Sequence, residues 1–464
     1  MPADCRGLAV TASSADEAEL LDATVHAYLS NDPGTGELLG KLMLRAPEMP
    51  MAHCLRGFLL NLADRASDLG RARESLAAAD RLIARANERE RRHIEALRAW
   101  CDGELTRATA LFEEILIDHP RDVLAFRLAH YLHFFVGAIV EMRDSAARVL
   151  SSWEESVPDY GYVLGCRAFG LEETGDYAAA EAFGRRAVEL NADDVWAGHA
   201  VCHVLEMQGR HREGIDWVNH HENAWAERNA FANHVWWHRS LYYLELEEHD
   251  AVLDQYDRYV WRGPSDDNLD ITNAAALLLR LDMLGVDVGD RWHQIAGVVT
   301  ETRLDERTRP FNDAHFIMPL AMTGRRTESD ALLASMRGHA EAHLNEAMTI
   351  VPTLRDIGVP LAEAVRAYAD GDYARAVDTI MPIRYRLLPL GGSWAQRDVF
   401  ARLLIESARR SGRTRLARAL LAERAALKPT SGPTWKMYAS VLDQLGDAAG
   451  ATAARERAGQ LLAA

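Results

Sequence analysis

The stretch GRTRLARALLAERAALKPTSGPTWKMYASVLDQLG, residues 412 to 446, decides the fold. It runs from one glycine to another 34 residues on. Between them, Pro429 stands where a second helix would close, and Trp435 and Ala439 hold the aromatic and small positions of the next first helix. That is the spacing of a tetratricopeptide repeat. Further up the chain, Gly175-Asp176-Tyr177 followed by Ala180 and Ala187 reads as the turn and second helix of another repeat, and Gly209 follows 34 residues after Gly175. Gly103 with Leu105, Ala108, Phe112 and Pro120 fits the same template, as does Gly371-Asp372-Tyr373 with Ala376. Small residues let paired helices approach closely, the glycine permits the turn and the proline stops the helix. Two independent 34-residue glycine pairs argue against chance spacing in a generic bundle.

The predicted fold is therefore all-α, a right-handed superhelix of degenerate tetratricopeptide repeats. One solenoid is expected over residues 1–464, with a flexible N-terminus over 1–20 and degenerate helical hairpins over 240–360. No alternating β-branched run and no Asn-Gly hairpin signal speaks for a sheet.

Composition narrows the function. The chain has 464 residues and a formal net charge of -17, which argues against nucleic acid and against anionic membrane as partners. Its five cysteines are scattered and never form a CxxC pair, a pattern of reduced thiols. The N-terminal segment carries acids and lacks the apolar core of a signal peptide, and no apolar run approaches a membrane span. These features predict a soluble, cytoplasmic protein and leave its oligomeric state open.

Particular strings go beyond the repeat. HAVCHVLEM (199–207), NHVWWH (233–238), FNDAHF (311–316), MPIRYR (381–386) and LGGSWAQRDVF (390–400), with EMRDS (141–145), FGLEE (169–173) and ERAALKP (423–429), resemble bacterial members of the tetratricopeptide repeat protein 38 family. The resemblance runs in order from about Leu20 to Pro429, and FNDAHF together with GGSWAQRDVF makes it specific. It implies the same fold and no particular chemistry. Where that family has a Gly-Glu-Tyr turn this chain has Glu247-Glu248-His249, which puts that turn in question.

Four segments could carry chemistry. His199, His203 and Glu206 stand at i, i+4 and i+7 of one helix, within an arc of about 60°, with Trp196 a turn before them. His234 and His238 repeat the i, i+4 spacing beside Trp236 and Trp237. Asp313 and His315 follow Asn312, and Gln396, Arg397 and Asp398 follow the helix break at Gly391-Gly392. In a superhelix these segments can converge on the concave side.

Three chemistries fit them. The histidine pairs are good bidentate donors for a divalent metal, with Glu206 or Asp313 completing the shell, although HExxH is absent. Alternatively His203, His238 or His315, paired with Glu206 or Asp313, act as acid and base on a small molecule, with His199, His234, Trp196, Trp237, Gln396, Arg397 and Asp398 binding it and Arg397 holding an anionic group. Or the same residues form a buried polar network that locks helices together. His220, His221 and His249 read as surface or turn residues. No phosphate loop, dinucleotide fingerprint or nucleophile elbow is present. Two functions compete: a pocket that binds and transforms a small molecule, or a scaffold holding a peptide or protein in its groove. Few segments rich in His, Trp and Asp favour the pocket over an open run of Asn, Lys and Arg.

Overall fold

The glycines that the spacing marks as turns all take the left-handed backbone that glycine adopts without strain: Gly103, Gly175, Gly209, Gly371, Gly412 and Gly446 have φ between 73° and 88°. The computed structural model describes residues 1–229 and 231–463. Among them helix follows helix, with no strand beyond an isolated bridge between Ala3 and Ala9. Short turns make neighbours antiparallel, as in Tyr160–Glu173 against Tyr177–Leu190 and Gly432–Gln444 against Ala448–Ala463. None of these helices is long and apolar enough to cross a membrane.

Residues 240–360, the poorest match to the template, are helical too. Asn268–Met283 and Arg291–Thr302 are joined through Gly285, and Pro310–Met322 and Arg326–Ala342 through Gly324. The turn in question before His249 is made by Glu247, which itself takes φ of 59°. A side chain in that conformation costs about 1–2 kcal/mol, and Lys436 holds it there at 2.8 Å. At the N-terminus, Arg6 pairs with Asp22 at 2.7 Å and Asp159 at 2.5 Å, and the first helix starts at Ala15 on a Ser14 cap.

Distant parts of the chain close on one another across the superhelix. Asn268 Nδ2 donates to the Asp64 carbonyl at 2.6 Å, and the Thr349 amide donates to the Gly103 carbonyl at 3.0 Å. Lys428 reaches Glu206 at 3.1 Å, and the Trp394 amide donates to Glu173 at 3.2 Å. The inner side is thereby an interior lined by helices from both halves of the chain. That closure positions the site.

Candidate metal centre

The helix Val195–Met207 starts on Asp194, whose carboxylate accepts from the Ala197 amide at 2.9 Å. Gly198 lies flat against Trp225: a Cβ there would stand 2.2 Å from the indole ring. This close approach turns the face bearing His199, His203 and Glu206 toward the helix Phe231–Glu245, which carries His234 and His238. All four imidazoles are buried, and one nitrogen from each falls within 4.8 Å of the others. His199 and His203 meet Nε2 to Nε2 at 2.9 Å. A metal about 2.0–2.1 Å from four nitrogens sets them roughly 3.4 Å apart in a tetrahedron, so small side-chain adjustments suffice to hold one ion.

Two of the outer nitrogens are anchored and a third faces a carboxyl. His234 Nδ1 meets Asn273 Oδ1 at 3.0 Å, His238 Nδ1 meets Glu206 Oε2 at 3.3 Å, and His203 Nδ1 faces Glu172 Oε2 at 3.6 Å. Among the described residues, His199 Nδ1 and His238 Nε2 have no partner. Ligating histidines are commonly fixed in this way, one nitrogen on an outer acceptor and the other on the metal. Burial, and then the neighbouring rings, push the His199, His203 and His234 pKa values well below the usual imidazole range, which favours the neutral form a metal needs. Burial also pushes the Glu206 carboxyl up, but Lys428 and the His238 ring outweigh it and hold it well below the carboxylate range. Glu172 goes the other way, raised well above that range by burial and by the charges of Glu173 and Glu206.

A cavity of about 340 Å³ opens beside this cluster, with His199, His234, Trp196, Phe231 and Gln396 among its walls. A second space of about 780 Å³ adjoins it, sharing Asp64, Phe135 and Arg309. Ligand sites have such dimensions, with few polar groups set among aromatic walls.

No known family profile matches the chain. Solved structures similar to it include the P58(IPK) TPR domain, 11% identical over 81% of this chain and 93% of that one, at a TM-score of 0.23. The human IFIT1 dimer with PPP-AAAA is 14% identical over 97% of this chain and 95% of that one, at 0.36. Yeast Tom70 is 14% identical over 79% and 90%, at 0.23. Its own helical hairpins, with turn glycines 34 residues apart, give the chain a tetratricopeptide-like helical-repeat fold.

The remaining residues singled out in the sequence divide. Trp196 stands in the cavity wall, and Trp237 stacks on His234 with ring centroids 5.2 Å apart and planes 14° apart. His315 stays outside the four-imidazole group: its Nδ1 meets the Phe311 carbonyl at 2.8 Å and its ring packs between Phe311 and Phe400. Asp313 is occupied by Arg307 at 2.6 Å. Gln396 closes a capping box with Ser393 at the start of Trp394–Arg410. Arg397 is turned onto the Gly391 and Gly392 carbonyls and lies 3.7 Å from Glu173, while Asp398 pairs with Arg402 and Arg424.

Glu172, Asn273, Lys428 and Arg127 belong to the site without having been singled out. The first three announce themselves only once the helices are packed. Arg127 left one trace, a lone arginine within VLAFRLAHYLHFF, the helix Val123–Phe135. Its guanidinium is buried with no carboxylate within 4 Å among the described residues. It donates to Cys166 Sγ at 3.0 Å and Tyr131 Oη at 3.1 Å and lies over the Tyr131 and Trp196 rings at 4.8 and 4.4 Å. A desolvated cation–π contact contributes about 2 kcal/mol, against a cost of several kcal/mol for an unpaired buried ion. The two rings offset only part of that cost.

Proposed function

We propose that the protein binds one divalent first-row transition metal through His199, His203, His234 and His238 and uses it to act on a small molecule in the adjoining cavity. The observation that carries this reading is the meeting of four buried imidazoles from two helices, two of them held at Nδ1 by Asn273 and Glu206 and a third facing Glu172. Imidazole donors suit zinc, cobalt, nickel, copper or iron. Such an ion supplies Lewis acidity, polarising a bound oxygen or lowering the pKa of a bound water. The chain's own contribution is to fix four nitrogens, to keep His199, His203 and His234 neutral by burial and to leave His199 and His234 facing the cavity.

Glu206 is assigned a positioning role on His238, and Glu172 one on His203. The contacts across the superhelix favour an enclosed small-molecule site over an open groove for a peptide. Within this reading the chain is a member of the tetratricopeptide repeat protein 38 family, an assignment resting on FNDAHF and GGSWAQRDVF.

Cobalt(II) titration of metal-free protein, read in the visible spectrum, tests the assignment. We expect intense d–d bands of a four-nitrogen site, saturating at one equivalent and lost in His238→Ala. Bands equally strong in that variant would place the metal elsewhere.

A further inference from the structure

The chemical class of the cavity's ligand follows from what lies beneath its aromatic wall. Tyr28, Asn31, Tyr131 and Trp196 all line the cavity beside His199. Among the described residues, Tyr28 Oη, Asn31 Nδ2 and Trp196 Nε1 have no hydrogen-bond partner, and Tyr131 Oη accepts from Arg127 while its own proton is given to nothing. Four donors thus share one wall without acceptors. Buried donors of this kind ordinarily find partners.

Charge sharpens the choice. Arg127 lies against the Tyr131 and Trp196 rings and, among the described residues, has no carboxylate counter-ion at contact distance. Asp194, whose charge acts on it from beyond contact distance, gives Oδ1 to a helix N-cap, and its Oδ2 has no hydrogen-bond partner among the described residues. The other charged groups of the cavity do not compensate it. Asp64 is paired with Arg309, and Asp267 caps the helix Asn268–Met283. An aromatic pocket attracts cations through its ring faces, but a guanidinium behind two of those rings makes the wall repel a cation and attract an anion.

We propose that the cavity takes a small carboxylic acid with a planar, apolar body, its carboxylate accepting from this donor wall and neutralising Arg127. A carboxylate offers several acceptor sites, which matches the donors present, and the volume of about 340 Å³ suits a single-ring acid. The anion-holding role foreseen for Arg397 thereby falls to Arg127.

This inference rests on the reading of the cavity as a ligand site and not on the metal, so its test uses metal-free full-length protein. Benzoate and its neutral isostere benzamide are titrated calorimetrically. Benzoate is expected to bind at least about tenfold more tightly. Arg127→Met should abolish that preference, and Tyr131→Phe, which deletes one oxygen, should weaken benzoate several-fold and leave benzamide unchanged. If Arg127→Met does not fold, Tyr131→Phe decides alone. Equal affinity for the two probes, no binding of benzoate, or a preference undiminished by Tyr131→Phe and by any folded Arg127→Met overturns the proposal. A protein that holds metal yet fails here loses only the ligand class, whereas benzoate binding without any metal site loses only the metal.

Discussion

His199 and His203 face one another Nε2 to Nε2 at 2.9 Å, one helical turn apart. Without a metal, one of the two rings must keep its proton on that nitrogen for the contact to be a hydrogen bond. A metal between them needs both lone pairs, so the proton moves to the outer nitrogen. In ¹⁵N-histidine-labelled protein, one Nε2–H tautomer of this pair should be present before zinc is added and absent afterwards. Its persistence at saturating zinc would make the pair a structural tie.

Glu206 ties that pair's helix to the C-terminal third of the chain through Lys428 at 3.1 Å. Lys428→Met leaves the carboxylate buried without its cation and should cost about 3–5 kcal/mol of stability in a denaturant titration. His238→Ala removes a weaker partner while Lys428 stays, and should cost about 1–3 kcal/mol. Adding Glu206→Gln to Lys428→Met should recover part of the loss. The reverse order of severity would place the weight of the network on the imidazoles.

Asp194 gives a pH test with a definite sign. Burial, against the Ala197 amide bond, pushes its carboxyl up to about 7 from an ordinary 3.8. The folded state therefore holds the proton more tightly than the unfolded state, and stability contributed by this group falls as pH rises from 4 to 7. Asp194→Asn keeps the cap and removes the titration. It should match wild type near pH 4 and exceed it at pH 8 by up to about 4 kcal/mol. A difference between the two proteins that does not grow with pH would contradict this.

Gly198→Ala tests the packing that aims the histidines. The added methyl meets the Trp225 ring and must displace it. We expect a loss of about 1–3 kcal/mol from overpacking, together with weakened metal binding because His199 is the next residue. Unchanged stability with unchanged metal affinity would show the helix to be free to shift.

The repeat turns were legible because a 34-residue period leaves its glycines in register whatever the rest of the helix does. Glu247 broke the pattern in sequence but not in space, since a left-handed φ can be held by a non-glycine residue at modest cost. The pairing of His199 with His203 and of His234 with His238 was legible from i, i+4 spacing alone. Which superhelical turns overlie one another was not. His315 has the right chemistry, yet Phe311 and Phe400 claim its ring. Arg397 has the right charge, yet two glycine carbonyls claim its guanidinium. Arg127 stood unremarked in an apolar helix because a lone buried arginine ordinarily implies a carboxylate nearby, and only the packed structure places none at contact distance.

Metal content measured by mass spectrometry on protein purified without a histidine tag decides whether the four imidazoles hold an ion. About one equivalent of a transition metal per chain is expected in wild type after zinc exposure and desalting. Far less is expected in His203→Ala and His238→Ala variants whose folding is intact. Wild type that retains no metal, or variants that retain as much as wild type, would contradict that reading.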